Sequence, residues 1–319
     1  MTPERIKELK LIANRGRMHI VMDTHAAKSG HPGGSLGSID YMTYLYNEEM
    51  RIDPEKYLDP DRDRFVLSKG HCAPALYAVL AQRGYFPEED LITLRKIGSH
   101  LQGHPNMNVT PGVDFSTGSL GQGYSAACGM ANAAKLMKKD INVYALLGDG
   151  EIEEGLVWEA SEYAAHYCLD NLCIAVDING LQIDGNTKDV MNMEPIDEKF
   201  ASFGFNVVKI NGNDYNELEK AFAAFHAAKG GKKPTAILMR TVKGMGVSYM
   251  ENEAGWHGKG PNDAECAQGV AEIAAVRRMI ETGEDGGSSA YPQSRPMLDR
   301  IKEIEAQMAQ AGNDACGQN

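Results

Sequence analysis

The chain contains no cysteine pair of the C-x-x-C type and no Cys/His spacing suited to zinc. Its six cysteines (Cys72, Cys128, Cys168, Cys173, Cys266 and Cys316) are scattered along 319 residues. This excludes a zinc ribbon and a dithiol redox motif, and it leads us to expect a reduced, cytoplasmic compartment. Cys128 and Cys173 lie in apolar segments and read as small core residues. There is also no basic block or stripe. With a net charge of -12, nucleic acid is not expected as a partner, although a local Lys/Arg pocket for a small anion is compatible with that balance. No apolar run is long enough to cross a membrane, residues 1–10 lack the pattern of a signal peptide, and we find no internal repeat.

What remains is a chain of ordinary globular composition, 43% hydrophobic and 24% charged, long enough for one large α/β domain with or without an appendage. Thr2 and Pro3 open a helix reaching about Ala27, with Ile6, Leu9 and Ile12 on one face. The stretch Ser29-Gly30-His31-Pro32-Gly33-Gly34 breaks it. A short apolar run lies in 63–68, a helix is expected over 72–83, and a Gly/Pro-rich loop over 98–112. Beyond a helix at 121–138 come strand 143–147, helix 153–168, strands 172–177 and 206–210, helix 215–229 and strand 235–240. In the helix at 153–168, Leu156, Ala160, Tyr163 and Ala164 recur at helical spacing. Asn213-Asp214 supplies the cap of the helix at 215. The alternation predicts an α/β fold with a parallel sheet and helices on both faces. The domain is expected to span 1–283, followed by a flexible linker at 283–289, a short amphipathic stretch at 297–308 and a polar tail, so that 284–319 forms a linker and C-terminal extension.

Two turns carry the chemistry. Gly148-Asp149-Gly150-Glu151 follows the run at 143–147, and Asn179 follows the run at 173–176 in Val-Asp-Ile-Asn-Gly. Either alone is an ordinary turn. Together, at the carboxyl ends of two strands separated by one helix, they match the ligand crevice of an open α/β sheet. Asp149 offers a carboxylate, Asn179 an amide oxygen, and the glycines close backbone approach. This is the donor set of a Mg2+–diphosphate clamp, as in a Mg2+–thiamine diphosphate site.

Four of the nine histidines stand in Gly/Pro-rich turns: His31, His71, His104 and His257. Near-neutral imidazoles can donate to phosphate or sugar hydroxyls and move protons. His19, His25, His166 and His226 lie in helical patterns and read as structural, and His100 fits either role. The loop 115–123, containing Gly118, Ser119 and Leu120, enters a helix and allows close approach to a flat ring, with a helix N-terminus that favours an anion. Glu154 and Glu159, five apart on the following helix, read as surface carboxylates.

In these residues the chain resembles the thiamine-diphosphate domain of transketolases. The resemblance covers roughly 26–260 through SGHPG, DRFVLSKGH, GHP, TGSLGQG, GDGEIEEG, VDING–LQIDG and TVKGMG…WHG. It implies the thiamine-diphosphate-binding fold of the diphosphate type. It also implies that Mg2+, or another divalent cation such as Ca2+ or Mn2+, is held by Asp149, Asn179 and the carbonyl of Leu181. His71, Gly118, Ser119, Leu120, Gly150, Glu154, Asn179 and His257 would contact the cofactor. His31, His104 and His257 would act on the sugar, and Glu154 and Glu159 would reach an interface between subunits. Asn213 stands where many relatives have a histidine, and Gly33-Gly34-Ser35 replaces the commoner Gly-Ala-Pro.

Full-length members continue into a pyrimidine-binding domain, which carries the glutamate that activates the cofactor, and then into a third domain. The resemblance therefore implies the N-terminal subunit of a split transketolase. Such a chain would transfer a two-carbon ketol unit between sugar phosphates in an α2β2 assembly with a partner that supplies the other domains. The alternatives are an unusual (branched or sulfonated) ketose donor, 1-deoxyxylulose-5-phosphate synthase-like chemistry, or a non-catalytic scaffold subunit.

Overall fold

A computed structural model describes residues 1–294. The apolar runs become β1 (Arg64–Leu67), β2 (Val143–Gly148), β3 (Leu172–Ile178), β6 (Asn206–Asn211) and β7 (Thr235–Arg240). They form one parallel sheet in the order β1-β2-β3-β7-β6. A two-residue ribbon, β4 (Leu181–Gln182) against β5 (Gly185–Asn186), follows β3. The helices are α1 (Pro3–Ala27), α2 (Pro32–Tyr44), α3 (Ala73–Gln82), α4 (Gln122–Leu136), α5 (Gly155–His166), α6 (Thr187–Val190), α7 (Ile196–Ser202), α8 (Tyr215–Ala228) and α9 (Asp263–Thr282).

Alternate strand residues serve two cores. Tyr144 and Leu146 of β2 and Cys173 and Ala175 of β3 pack with α1, α2, α3 and α8. Val143, Ala145 and Leu147, with Leu172, Ile174 and Val176, pack with α4, α5 and α7. Coverage on both faces is why β2 and β3 read as unbroken apolar runs rather than as alternation. The predicted parallel sheet with helices on both faces is the fold observed, and both Cys128 and Cys173 are core residues.

Local signals behave as their chemistry dictates. The Thr2 hydroxyl accepts from the Arg5 amide at 3.3 Å, and Asp214 caps α8 by accepting from Asn216 and Glu217. Four helices, α2, α6, α7 and α9, lie beyond what the sequence pattern predicts. α2 is buried along its whole length, so it has no polar stripe for periodicity to detect. α9 carries a capping box between Asn262 and Glu265 and lies against α1.

Three expectations need correction. The buried face of α5 is Val157, Ala160, Ser161 and Ala164, while Leu156 is only half-buried and Tyr163 is exposed. Asn213 is not part of the cap but turns inward, donating to Asp40 Oδ2 at 2.8 Å and to the Gly37 carbonyl at 3.2 Å. The flexible linker expected over 283–289 is instead fastened to the domain. Buried Lys10 pairs with Asp285 and donates to the Ser288 carbonyl. Tyr291 lies under the Arg17 guanidinium at 3.5 Å and accepts from Asn14, and the Ser294 hydroxyl donates to Glu251. Gly and Ser composition predicts mobility only where no buried partner waits. The amphipathic stretch at 297–308 lies outside the described residues.

Candidate active site

All five strands run the same way, so their carboxyl ends share one edge of the sheet, where open α/β folds bind ligands. β1 leads into Ser68, Lys69 and His71, β2 into Asp149, β3 into Asn179, and β7 into Thr241 and Lys243. A cavity of about 260 Å3 at this edge is lined by Gly34, Lys69, His71, Leu120, Asp149, Gly150, Glu153, Glu154, Asn179, Leu181, Gln182, Lys243 and His257, among others.

Asp149 is buried, and its oxygens accept from the amides of Gly150 at 2.9 Å and Gly180 at 2.6 Å. Burial, and then the nearby charge of Asp177, push its carboxyl up to about 6. Asn179 Oδ1 accepts from the Leu181 amide at 3.0 Å, and its Nδ2 donates to Asp177 at 2.9 Å. Asp177 in turn pairs with Lys69, both side chains being buried. Lys243 is also buried. It donates to the Leu181 carbonyl at 3.2 Å and to His257 Nδ1 at 3.0 Å, which places the imidazole proton on Nε2.

The four turn histidines come together. His31 has ring centroids 5.5, 5.7 and 5.4 Å from His71, His104 and His257, and His71 and His257 are 4.9 Å apart. Burial lowers all four. His31 falls to about 4, helped by Arg95 and His104, and His257 to about 3, helped by Lys243 and His31. His71 falls well below the usual imidazole range, with Lys69 adding to burial, and His104 falls with the help of Arg95. At neutral pH these are uncharged rings that each offer one donor and one acceptor. His31 Nδ1 is buried and unpartnered among the described residues.

The other histidines have structural partners. His19 meets Glu88, His25 the Pro261 carbonyl, His226 Glu49, and His100 Asp90. His166 packs on Tyr167. Of the loop 118–120, Leu120 lines the cavity, Ser119 is exposed, and Gly118, at φ +149°, abuts His104. A Cβ at Gly118 would come within 3.3 Å of that imidazole. Glu154 sits on the exposed lip of the cavity, and Glu159 is exposed further along α5.

Several residues that build the site are not legible from the sequence. Buried Glu151 accepts from Ser68, the Gly121 amide at 2.9 Å and the Gly148 amide at 3.0 Å, tying the Gly-Asp-Gly turn to the Gly-rich loop. Lys69, Asp177, Lys243 and Gln182 stand inside the transketolase-like motifs, but nothing in their spacing distinguishes a buried lysine from a solvated one. No group of three or more His, Cys, Asp or Glu side chains is arranged to hold a metal among the described residues. A hard cation here would rest on one carboxylate, an amide oxygen and a carbonyl. That fits a Mg2+ that completes its shell with phosphate and water. A buried carboxylate beside a buried, carboxylate-free ammonium fits a cation and an anion bound together.

The fold and the cavity thus define a cofactor domain of the diphosphate-binding α/β class. A family model described as the transketolase thiamine diphosphate binding domain matches residues 9–278. One relative is a component of the apulose-4-phosphate transketolase of Phocaeicola vulgatus, 39% identical over 282 residues, which cover 88% of this chain and 99% of that protein. Another is the 6-deoxy-6-sulfo-D-fructose transketolase subunit SqwG of a Clostridium species, 43% identical over 244 residues, which cover 76% and 88%. The Campylobacter jejuni transketolase structure superposes with a TM-score of 0.79 at 30% identity over 94% of this chain and 48% of that one. The chain belongs to the transketolase family. It spans most of those two relatives but about half of the solved enzyme, so the expectation of an N-terminal, thiamine-diphosphate-binding component of a transketolase-type enzyme is borne out.

Proposed function

We propose that the chain is the metal- and diphosphate-binding subunit of a two-component transketolase that moves a two-carbon ketol unit from a ketose phosphate to an aldose phosphate. The observation that carries this reading is that Asp149 and Lys243 line one cavity with the neutral rings of His71 and His257, which cluster with His31 and His104. Asp149, Asn179 and the Leu181 carbonyl hold Mg2+, with Ca2+ or Mn2+ as substitutes. His71, Gly150 and Lys243 face the diphosphate, and Gly118, Ser119 and Leu120 face the ring, with Glu154 at the lip. Thiamine diphosphate, when bound, supplies the nucleophilic carbon and electron sink for breaking and forming the carbon–carbon bond. His31, His104 and His257, uncharged at neutral pH, orient the sugar hydroxyls and pass protons at their ring nitrogens.

The partner subunit contributes the pyrimidine-binding domain in an α2β2 assembly. The relatives named as subunits, and the half-length match to the solved enzyme, support this, as do the exposed Glu154 and Glu159. The five described cysteines are free, which supports a reducing, cytoplasmic compartment. The second reading is an unusual ketose donor, favoured by relatives named for apulose-4-phosphate and 6-deoxy-6-sulfo-D-fructose.

The test is ketol transfer by the purified chain with and without its partner. Activity is expected only in the mixture, and full activity of the lone chain would overturn the split-site reading. Calorimetry of thiamine diphosphate and Mg2+ on the pair separates an enzyme from an idle scaffold, which need bind neither.

A further inference from the structure

We propose that Arg95 is the brace that fixes the spacing between the His31 and His104 turns, a positioning residue for ketol transfer. This role rests on the sugar-facing functions proposed for those two histidines.

Arg95 lies on neither turn but touches both. Its Nη1 donates to the Ser29 hydroxyl at 3.3 Å, two residues before His31. Its Nη2 donates to the Gly103 carbonyl at 3.4 Å, next to His104. Each bond is long. Packing adds to these bonds, since a Cβ built on Gly103 would lie 2.7 Å from the guanidinium carbon. The flat guanidinium therefore rests on a glycine that leaves it just enough room, and any larger residue at 103 displaces it.

The backbone is committed to this placement as well. Arg95 has φ 61°, a left-handed conformation that a side-chain-bearing residue rarely adopts. Its amide donates to the Leu101 carbonyl at 2.8 Å, closing a short loop that turns through Gly98 at φ +82°. The charge acts in the same sense, because Arg95 adds to burial in keeping both His31 and His104 uncharged. A planar fork holds its two terminal nitrogens at a fixed spacing between the turns, whereas a lysine's freely rotating ammonium on a flexible stem fixes no such spacing.

The experiment uses the chain reconstituted with its partner, with kcat, KM, melting temperature and thiamine diphosphate affinity measured together. Arg95→Ala is expected to lower kcat/KM by roughly ten- to a hundredfold, the scale of a small misplacement of reacting groups. Melting temperature and cofactor affinity should not change. Arg95→Lys should recover only a minor part of the loss, and Gly103→Ala should reproduce it. In the double variant Arg95→Ala/Gly103→Ala the losses should not multiply, because both remove the same contact. Wild-type turnover by Arg95→Ala, full rescue by lysine or multiplying losses would each overturn the brace.

If His104→Ala itself leaves turnover unchanged, the sugar-facing reading fails and the brace is judged on geometry alone. The nuclear Overhauser contact between the His31 and His104 rings should then be present in the wild-type chain and lost in Arg95→Ala. Its persistence would overturn the proposal.

Discussion

Lys69 is bonded to Asp177, and Asp149 has no cationic side chain of its own among the described residues. The two aspartates are close because Gly148 of β2 pairs in register with Asp177 of β3, so Asp149 follows immediately on the neighbouring strand. Lys69 reaches Asp177 and the Ser38 hydroxyl, at 2.6 Å from the latter. Asp149 accepts from two backbone amides among the described residues. One buried charge is compensated within the fold, and the other waits for a ligand.

Replacing Asp149 by Asn is predicted to raise the melting temperature of the ligand-free chain, because relief of a buried charge outweighs the one backbone amide bond that the side-chain NH2 cannot accept. Under the proposed function, the same variant should lose the rise in melting temperature expected of the wild-type protein with Mg2+ and thiamine diphosphate. Thermal melts with and without both ligands check this. An undiminished ligand-induced rise would show that the clamp is elsewhere. His226→Ala, on a helix face remote from the cavity, should leave the rise intact.

Lys69→Met should behave in the opposite way. It strands Asp177 in the core, where both partners of the pair are almost wholly inaccessible, and breaking such a pair costs about 3–5 kcal/mol. Urea unfolding at neutral pH measures the loss. A change within about 1 kcal/mol, on the scale of a surface pair, would contradict the burial.

The imidazoles give a pH prediction whose sign follows from their lowered values. Unfolded histidine titrates near 6.5, whereas His31 and His257 in the fold sit at about 4 and about 3. Between those limits the unfolded chain binds more protons, so these groups' contribution to stability is complete above about pH 6.5 and is lost as pH falls through the window. Asp149, raised to about 6, and Asp23, raised by burial to about 7, act in the opposite direction. Residue-resolved NMR titration is therefore the measurement to make, and the His31 ring should still be neutral at about pH 5.5, well above its folded midpoint. A midpoint at the unfolded value would contradict its burial.

Tyr291→Ala should destabilise the domain by about 3 kcal/mol or more, the usual scale for emptying a buried aromatic site. The ring is buried beneath Arg17 and bonded to Asn14. Thermal unfolding tests this, and no loss would restore the flexible-linker reading of 283–289.

The parallel sheet is readable because β2 and β3 are short apolar runs punctuated by Gly and Asn, a pattern set by burial on both faces. The Gly-Asp-Gly and Asn turns are legible for the same reason, each beginning where a run stops. α2 is hidden because a helix buried on all sides has no period to show. Lys69, Asp177 and Glu151 are hidden because their partners lie far apart in the chain, and only the alignment of β1, β2 and β3 brings Lys69 to Asp177 and Ser68 to Glu151. The convergence of His31, His71, His104 and His257 is suggested by their shared Gly/Pro setting, but proximity is a property of the folded sheet edge.

The unpaired charge of Asp149 also has a consequence for the life of the protein in a cell. If thiamine diphosphate strengthens the folded form as proposed, proteases should deplete the chain in step with vitamin supply, since the empty form opens more often. We predict that thiamine starvation shortens its half-life and that the Asp149→Asn form escapes this dependence. Pulse-chase labelling under both conditions would decide the matter, and equal half-lives for the wild-type chain would refute it. Abundance would then track nutrition without any dedicated regulator.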